Sequence, residues 1–283
     1  MSEFSRITYD SYDSGVARIV LDREETRNAQ DKQMLYEVNT AFDLAGADDS
    51  VKCLIVAANG PHFSSGHDLR DTTAMSDFQT VSNWGGFTKP GQEGPQAVEE
   101  EIYLGFCWRW RNFPKPTICE VQGKVIAGGL MLVWPCDIIV ASEEATFSDP
   151  VVAFGVNGVE YFGHPWEFGV RKAKELLFTG GVMDAREALA CGMVNHVVAR
   201  EDLADFAMNM ANKIASRPSM GLRLAKQSVN QAQDAQGLWS ALQAAMSLQQ
   251  LGHANNRAVH GIAVDPAGAQ VIRDEARAAK GKG

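Results

Sequence analysis

"CLIVAANGPHFSSGHDL", Cys53 to Leu69, joins two unlike halves. The first, CLIVAA, has no charged or hydroxyl side chain. So short and so apolar a run predicts a strand buried on both faces, as in a parallel sheet. The second half is polar and turns on Gly66, where a missing Cβ lets another group approach the backbone. The space beyond the carboxyl ends of parallel strands is where open α/β sheets place their ligands.

The flanking sequence supports an α/β reading. "VARIVLD", Val16 to Asp22, predicts a strand. Residues 31–47 show helical spacing at Met34, Leu35, Val38, Phe42 and Leu44. Residues 72–94 are polar, glycine-rich and without period, which predicts a mobile flap. Residues 95–112 predict a helix, and "PKPTICEVQG" a further strand. Gly128-Gly129 opens a short apolar helix, "LMLVW", before Pro135. "DIIVAS", "ATFS" and "VNHVV" predict short strands. After Gly169 the chain is mostly helical. The expectation is an α/β core over residues 1–200 and a helical C-terminal region over 201–283.

Composition narrows the function. The 283 residues are 45% hydrophobic, enough for a sizeable core, and carry a net charge of −9 with no basic tract. That argues against nucleic acid as a partner. The N-terminus lacks the apolar segment of a signal peptide, and no apolar run is long enough to cross a membrane. The five cysteines are scattered, without CxxC spacing. They fit reduced packing thiols in a cytoplasmic protein, with no metal site.

Two glycine turns carry the functional signal. Ser65-Gly66-His67-Asp68 follows one strand, and Gly123 to Gly129 lies between another strand and a helix. Unpaired N–H groups from two such turns, if they converge, bind a developing oxyanion.

"FSSGHDL", "KPTICEVQGKVIAGGLMLVWPCDIIVASEEATFSDP" and "LLFTGGVMDAREALACGMVNHVV" together resemble the crotonase superfamily, the enoyl-CoA hydratases and isomerases. The resemblance runs from about Ala17 to the helical tail. It implies a ββα spiral core, a C-terminal helical region that forms trimers or dimers of trimers, and an acyl-CoA thioester as substrate. Coenzyme A then enters as part of the substrate, with no tightly bound cofactor. The family's two oxyanion donors fall on the His67 and Gly128 amides. Its CoA contacts fall on Arg27, Asn28 and Ala29 and on Leu69 and Arg70. Asp68 matches a residue that braces the turn.

The chain departs from the family at both hydratase glutamates. Their positions hold Met131 and Val151, neither of which transfers a proton. Glu143 and Glu144 belong to a solvent-facing stretch. The segment Asp149 to Gly169 offers substitutes: Glu160 as acid/base, His164 second, and Tyr161 able to orient it. The histidine of "FSSGHDL" is also similar to that of decarboxylating family members. The open readings are a non-standard acyl-CoA lyase or isomerase, a malonyl-type decarboxylase or hydrolase, and a catalytically silent acyl-CoA binder.

Overall fold

The computed structural model describes residues 4–280. Among the described residues nine strands form two sheets: β1 (Ile7–Tyr12), β2 (Val16–Leu21), β3 (Cys53–Ala58), β4 (Thr117–Val121), β5 (Lys124–Ile126), β6 (Ile138–Ser142), β7 (Thr146–Ser148), β8 (Val182–Asp184) and β9 (His196–Val198). The larger sheet runs β1-β2-β3-β4-β6-β9, parallel throughout except for the antiparallel β1–β2 edge. The smaller runs β5-β7-β8. The chain alternates between them, β4 then β5, β6 then β7, with a helix after each pair. This is the expected ββα repeat.

The apolar run in β3 divides between two cores. Leu54 and Val56 face one side, with α1 (Lys32–Ala47) and the interior of the spiral. Cys53, Ile55 and Ala57 face the other. That second face is covered by α8 (Leu203–Ala215), whose Ala207, Ala211 and Ala215 recur every four residues and let the helix lie close on the sheet. Burying each such Leu, Ile or Val contributes about 1.5–3 kcal/mol. Helix α1 begins at Asp31, whose carboxylate accepts the Met34 N–H at 2.8 Å. Its buried stripe is Met34, Leu35, Val38, Ala41, Phe42 and Ala45. Leu44, expected on that stripe, is 44% exposed.

Residues 95–112 are helical as expected, within α2 (Glu93–Glu99) and α3 (Phe106–Arg111). Between them Glu100–Gly105 winds as a π-helix. The wider turn alters the facing of the side chains, a device often seen at functional sites. It places the fully buried Glu101 under residues 72–94, accepting the N–H groups of Val81 (2.8 Å) and Ser82 (3.1 Å). Phe78 also stacks on Tyr36 at 4.5 Å. The segment expected to be a mobile flap is thus fastened at its middle.

The other helices are α4 (Leu130–Val133), α5 (His164–Phe168), α6 (Val170–Thr179), α7 (Ala185–Cys191), α9 (Ser219–Ala235), α10 (Leu238–His260) and α11 (Gly268–Lys280). Among the described residues, no helix is long and apolar enough to cross a membrane.

Candidate active site

The two glycine turns meet. Residues 63–67 run beside 122–128: Phe63 N–H donates to Gln122 O (2.9 Å), and Ile126 N–H to Ser64 O (3.0 Å). Gly66, at φ +92°, is so close that a Cβ there would lie 2.8 Å from Ile126 O and 3.2 Å from Gly128 N. His67 pairs with Gln30 as an isolated parallel bridge. The bonds of that bridge use the Gly66 carbonyl (2.8 Å) and the Asp68 N–H (2.9 Å), so the His67 N–H points to the opposite side of the strand. Gly128 lies in the first turn of the helix that continues into α4, where N–H groups have no intrahelical acceptor. Ala127 before it takes a left-handed φ of 47°. A non-glycine residue held there stores about 1–3 kcal/mol of strain, which persists only where its surroundings impose it. Gln30 Nε2 donates to Gly128 O at 2.8 Å and fixes the peptide from behind.

The His67 side chain closes the same spot. A Cβ on Gly128 would come within 2.3 Å of its Cδ2. The ring stacks flat on Tyr103, centroids 3.9 Å apart, and its Nε2 lies 3.8 Å from Glu160 Oε2. Burial pushes the imidazole down to about 4, so it is neutral at physiological pH. Glu160 is 5% exposed. Desolvation, reinforced by Glu99 and Asp149 and opposed by a Gln249 hydrogen bond, holds its carboxyl well above the usual range. Neither His67 Nε2 nor Glu160 Oε2 has a hydrogen-bond partner.

The other candidates lie elsewhere. His164 Nε2 meets Asp149 Oδ2 at 2.8 Å, among Trp134, Phe162 and Phe168. The same carboxylate accepts the Val159 N–H at 2.9 Å. This pair braces the loop that carries Glu160. Tyr161 is buried on the far side of that loop, lining a cavity of about 520 Å³ with Arg111, Trp134 and Glu167. Met131 is buried, and the Cys107 S–H donates to its carbonyl at 3.2 Å. Val151 opens a short 3₁₀ turn. Glu143 and Glu144 are exposed.

On the expected CoA side, Arg27 and Asn28 are both left-handed, at φ 57° and 52°. Arg27 is exposed and lines a cleft of about 230 Å³ with His62, Ser65, Lys124 and Ile126. Burial and the charges of Lys124 and Arg27 push His62 down. Asn28 is fully buried and structural. It donates to Asn59 O (2.9 Å) and His62 O (3.1 Å) and accepts from Arg23 N–H (2.9 Å). The Ala29 carbonyl accepts from Arg23 at 2.7 Å. Leu69 is 84% exposed and Arg70 is exposed beside it. Asp68 accepts from Arg23 at 3.1 Å, the bracing role expected of it.

Sequence reasoning missed Tyr103, Glu99, Lys124 and a polar stripe on α10. Gln249, Gln250, His253 and Asn256 are all buried. Gln250 Nε2 donates to Glu99 Oε2 at 2.6 Å, and His253 Nε2 lies 3.5 Å from Glu99 Oε1. The signal was present in "QQLGHANNR", whose polar residues recur at helical spacing on one face. Among the described residues, no cluster of His, Cys, Asp or Glu could hold a metal ion.

The family model "Enoyl-CoA hydratase/isomerase" matches residues 11–263. The "Putative enoyl-CoA hydratase EchA13" of Mycobacterium tuberculosis is 46% identical over 261 residues, 89% of this chain and 82% of that protein. A 1,2-epoxyphenylacetyl-CoA isomerase of Escherichia coli is 30% identical over 78% of this chain and 80% of its own length. A solved structure titled a probable enoyl-CoA hydratase, from Mycobacterium smegmatis, superposes with a TM-score of 0.83 at 46% identity, covering 92% of this chain and 99% of that one.

Proposed function

The chain belongs to the enoyl-CoA hydratase/isomerase family and has the crotonase fold, and on that premise we propose that it shifts a proton within an acyl-CoA thioester, using Glu160 as its one acid/base. The thioester oxygen sits between the His67 and Gly128 amides, which stabilise the enolate. Each such donor contributes on the order of 10²–10³ in rate. Arg27 and Lys124 face the phosphates of CoA, with Leu69 and Arg70 at its nucleotide end.

The observation that carries this reading is the Glu160 carboxyl. It is buried, unpartnered at Oε2, and 3.8 Å from the ring that covers Gly128. Hydration uses two groups, one on water and one on carbon. A double-bond shift needs one. Glu160 takes the α-proton as the C–H electrons move into the carbonyl. The enolate collapses as Glu160 returns the proton to the γ-carbon, and the β,γ double bond becomes α,β. A raised pKa suits the first step, because it makes the ionised carboxylate a stronger base toward the α-proton. The isomerase name of the Escherichia coli relative supports this direction. The malonyl-type reading is weaker, because Glu99 and Asp149 already make the site unfavourable to a further carboxylate.

The test is a panel of 2-enoyl-, 3-enoyl- and malonyl-type CoA thioesters. The 3-enoyl thioester should isomerise, and hydration of the 2-enoyl thioester should be several orders slower than in an enzyme with both glutamates. Glu160→Gln should lower kcat by ~100-fold or more while CoA still binds. Full activity in Glu160→Gln would overturn the assignment, and a panel without turnover would leave a silent acyl-CoA binder.

A further inference from the structure

The site described above has more polar surface than the enolate chemistry uses. On one side the loop bearing Asn157 and Glu160 lies against α10. Asn157 Nδ2 donates to Ala245 O at 3.1 Å, and the buried Gln249 stands four residues, about one turn, further along the same helix. Three oxygens along this contact have no partner: Asn157 Oδ1, Gln249 Oε1 and Glu160 Oε2. His67 Nε2, also unpartnered, continues the strip. Gln249 is 4% exposed and Glu160 5%. Native proteins leave few buried polar groups unpaired, and each one calls for an explanation.

The rest of the α10 stripe is satisfied internally. Gln250 is held between Gln92 and Glu99, Asn256 donates to Phe154 O at 2.8 Å, and His253 Nδ1 meets Ala263 O at 2.7 Å. These residues dock the helix. Gln249 differs, because its carbonyl oxygen accepts nothing.

We propose, resting on the acyl-CoA reading, that the acyl group carries a hydroxyl beyond its reacting carbons and that Gln249 Oε1 accepts its hydrogen bond. The amide oxygens of Gln249 and Asn157 only accept, so the missing ligand group must donate. An alkyl end would leave them unpaired. A carboxylate would bring a third set of acceptors to a place already next to Glu99 and Asp149. Arg257, the cation of this region, is tied to Gln92. An ammonium would bring a full charge into a place where Gln249 and Glu160 are almost shut off from water, a desolvation that a neutral donor avoids. A neutral hydroxyl fits on every count, and it can in turn accept from Glu160 or His67.

Matched saturated thioesters of four to six carbons test this by titration calorimetry on the full-length protein: unsubstituted, ω-hydroxy, ω-carboxy and ω-amino acyl-CoA, with free CoA as reference. The best ω-hydroxy thioester should bind on the order of 10–100-fold more tightly than its alkyl partner, the cost of one or two unpaired buried groups. Gln249→Met, which keeps the length and loses the acceptor, should bring that ratio near one. If the variant does not fold, the wild-type ratio still decides. Alkyl binding as tight as ω-hydroxy at every length, or a charged arm binding tightest, would overturn the inference. Binding of CoA thioesters with no hydroxyl preference would sink this inference alone. Failure of every thioester and of CoA to bind would remove the acyl-CoA reading as well.

Discussion

Gly128→Ala isolates the contact on which the site depends. The φ of Gly128 is not positive, so alanine meets no backbone penalty and its cost is purely steric. The new methyl would lie 2.3 Å from His67 Cδ2 and 2.4 Å from Nε2. A free side chain would swing aside, but this ring is held between the Tyr103 face at 3.9 Å and Glu160 at 3.8 Å. Overpacking of this kind costs about 1–3 kcal/mol. At about 2–4 °C per kcal/mol for large domains, Tm should fall by roughly 2–12 °C. The decisive measurement is a double-mutant cycle with His67→Ala, followed by thermal and urea melts. In the His67→Ala background the methyl has room, so Gly128→Ala should cost close to nothing. That difference is the coupling between the two positions. Equal cost in both backgrounds would refute the ring's placement over Gly128, and with it the meeting of the two glycine turns.

Three further outcomes are expected. Burial pushes Glu167 up to about 8 against the opposing Arg111 charge. The folded state therefore holds a proton that the unfolded chain releases near 4.5, and stability from this group is lost as pH rises through that window. Glu167→Gln should raise Tm relative to wild type at pH 8 and not at pH 4; an equal shift at both would contradict it. Asn28→Ala removes three hydrogen bonds from a fully buried position. It should cost about 1–3 kcal/mol in urea melts, and a neutral result would show that the Arg27-Asn28 turn holds without it. The helical region leaves Trp239, Leu248, Leu251, Val259 and Ile262 exposed, more apolar surface than a solvated tail requires. Light scattering should show a trimer or a dimer of trimers, and a monomer at micromolar concentration would contradict assembly through these helices.

What the sequence revealed follows from range. β3 was legible because a six-residue apolar run has few other fates, and α1 because its stripe repeats over sixteen residues. The turns at Gly66 and Gly128 were legible as glycines flanking strands. β1 was not, because only Ile7 of its six residues is buried and an edge strand leaves little pattern. β8 is three residues long. Glu160 stood out as the one carboxylate between Pro150 and Pro165, and its flanks Val159, Tyr161 and Phe162 pointed to partial burial but not to its depth. That burial depends on Gln249, 89 residues later, and on Tyr103, whose facing depends on a π-turn that no short periodicity announces. Leu44 shows the reverse error, an apolar residue at near-helical spacing that faces solvent.

The missing hydratase glutamates and the buried Glu160 belong to one electrostatic arrangement. Burial raises Glu160, and Glu99 and Asp149 raise it further. Cys107 links this carboxyl to the Met131 helix: its S–H donates to Met131 O, and both burial and the Glu160 charge raise its thiol. A second ionised carboxylate at position 131 would therefore enter the same dry region and oppose the charge on Glu160. Methionine there, and valine at 151, remove that repulsion. On the proposed function they leave one acid/base instead of two, a carboxyl that burial raises above the usual range. Losing the two usual acids need not silence the site. On the proposed function it is the condition under which a single carboxyl, carried on the loop after β7, works alone.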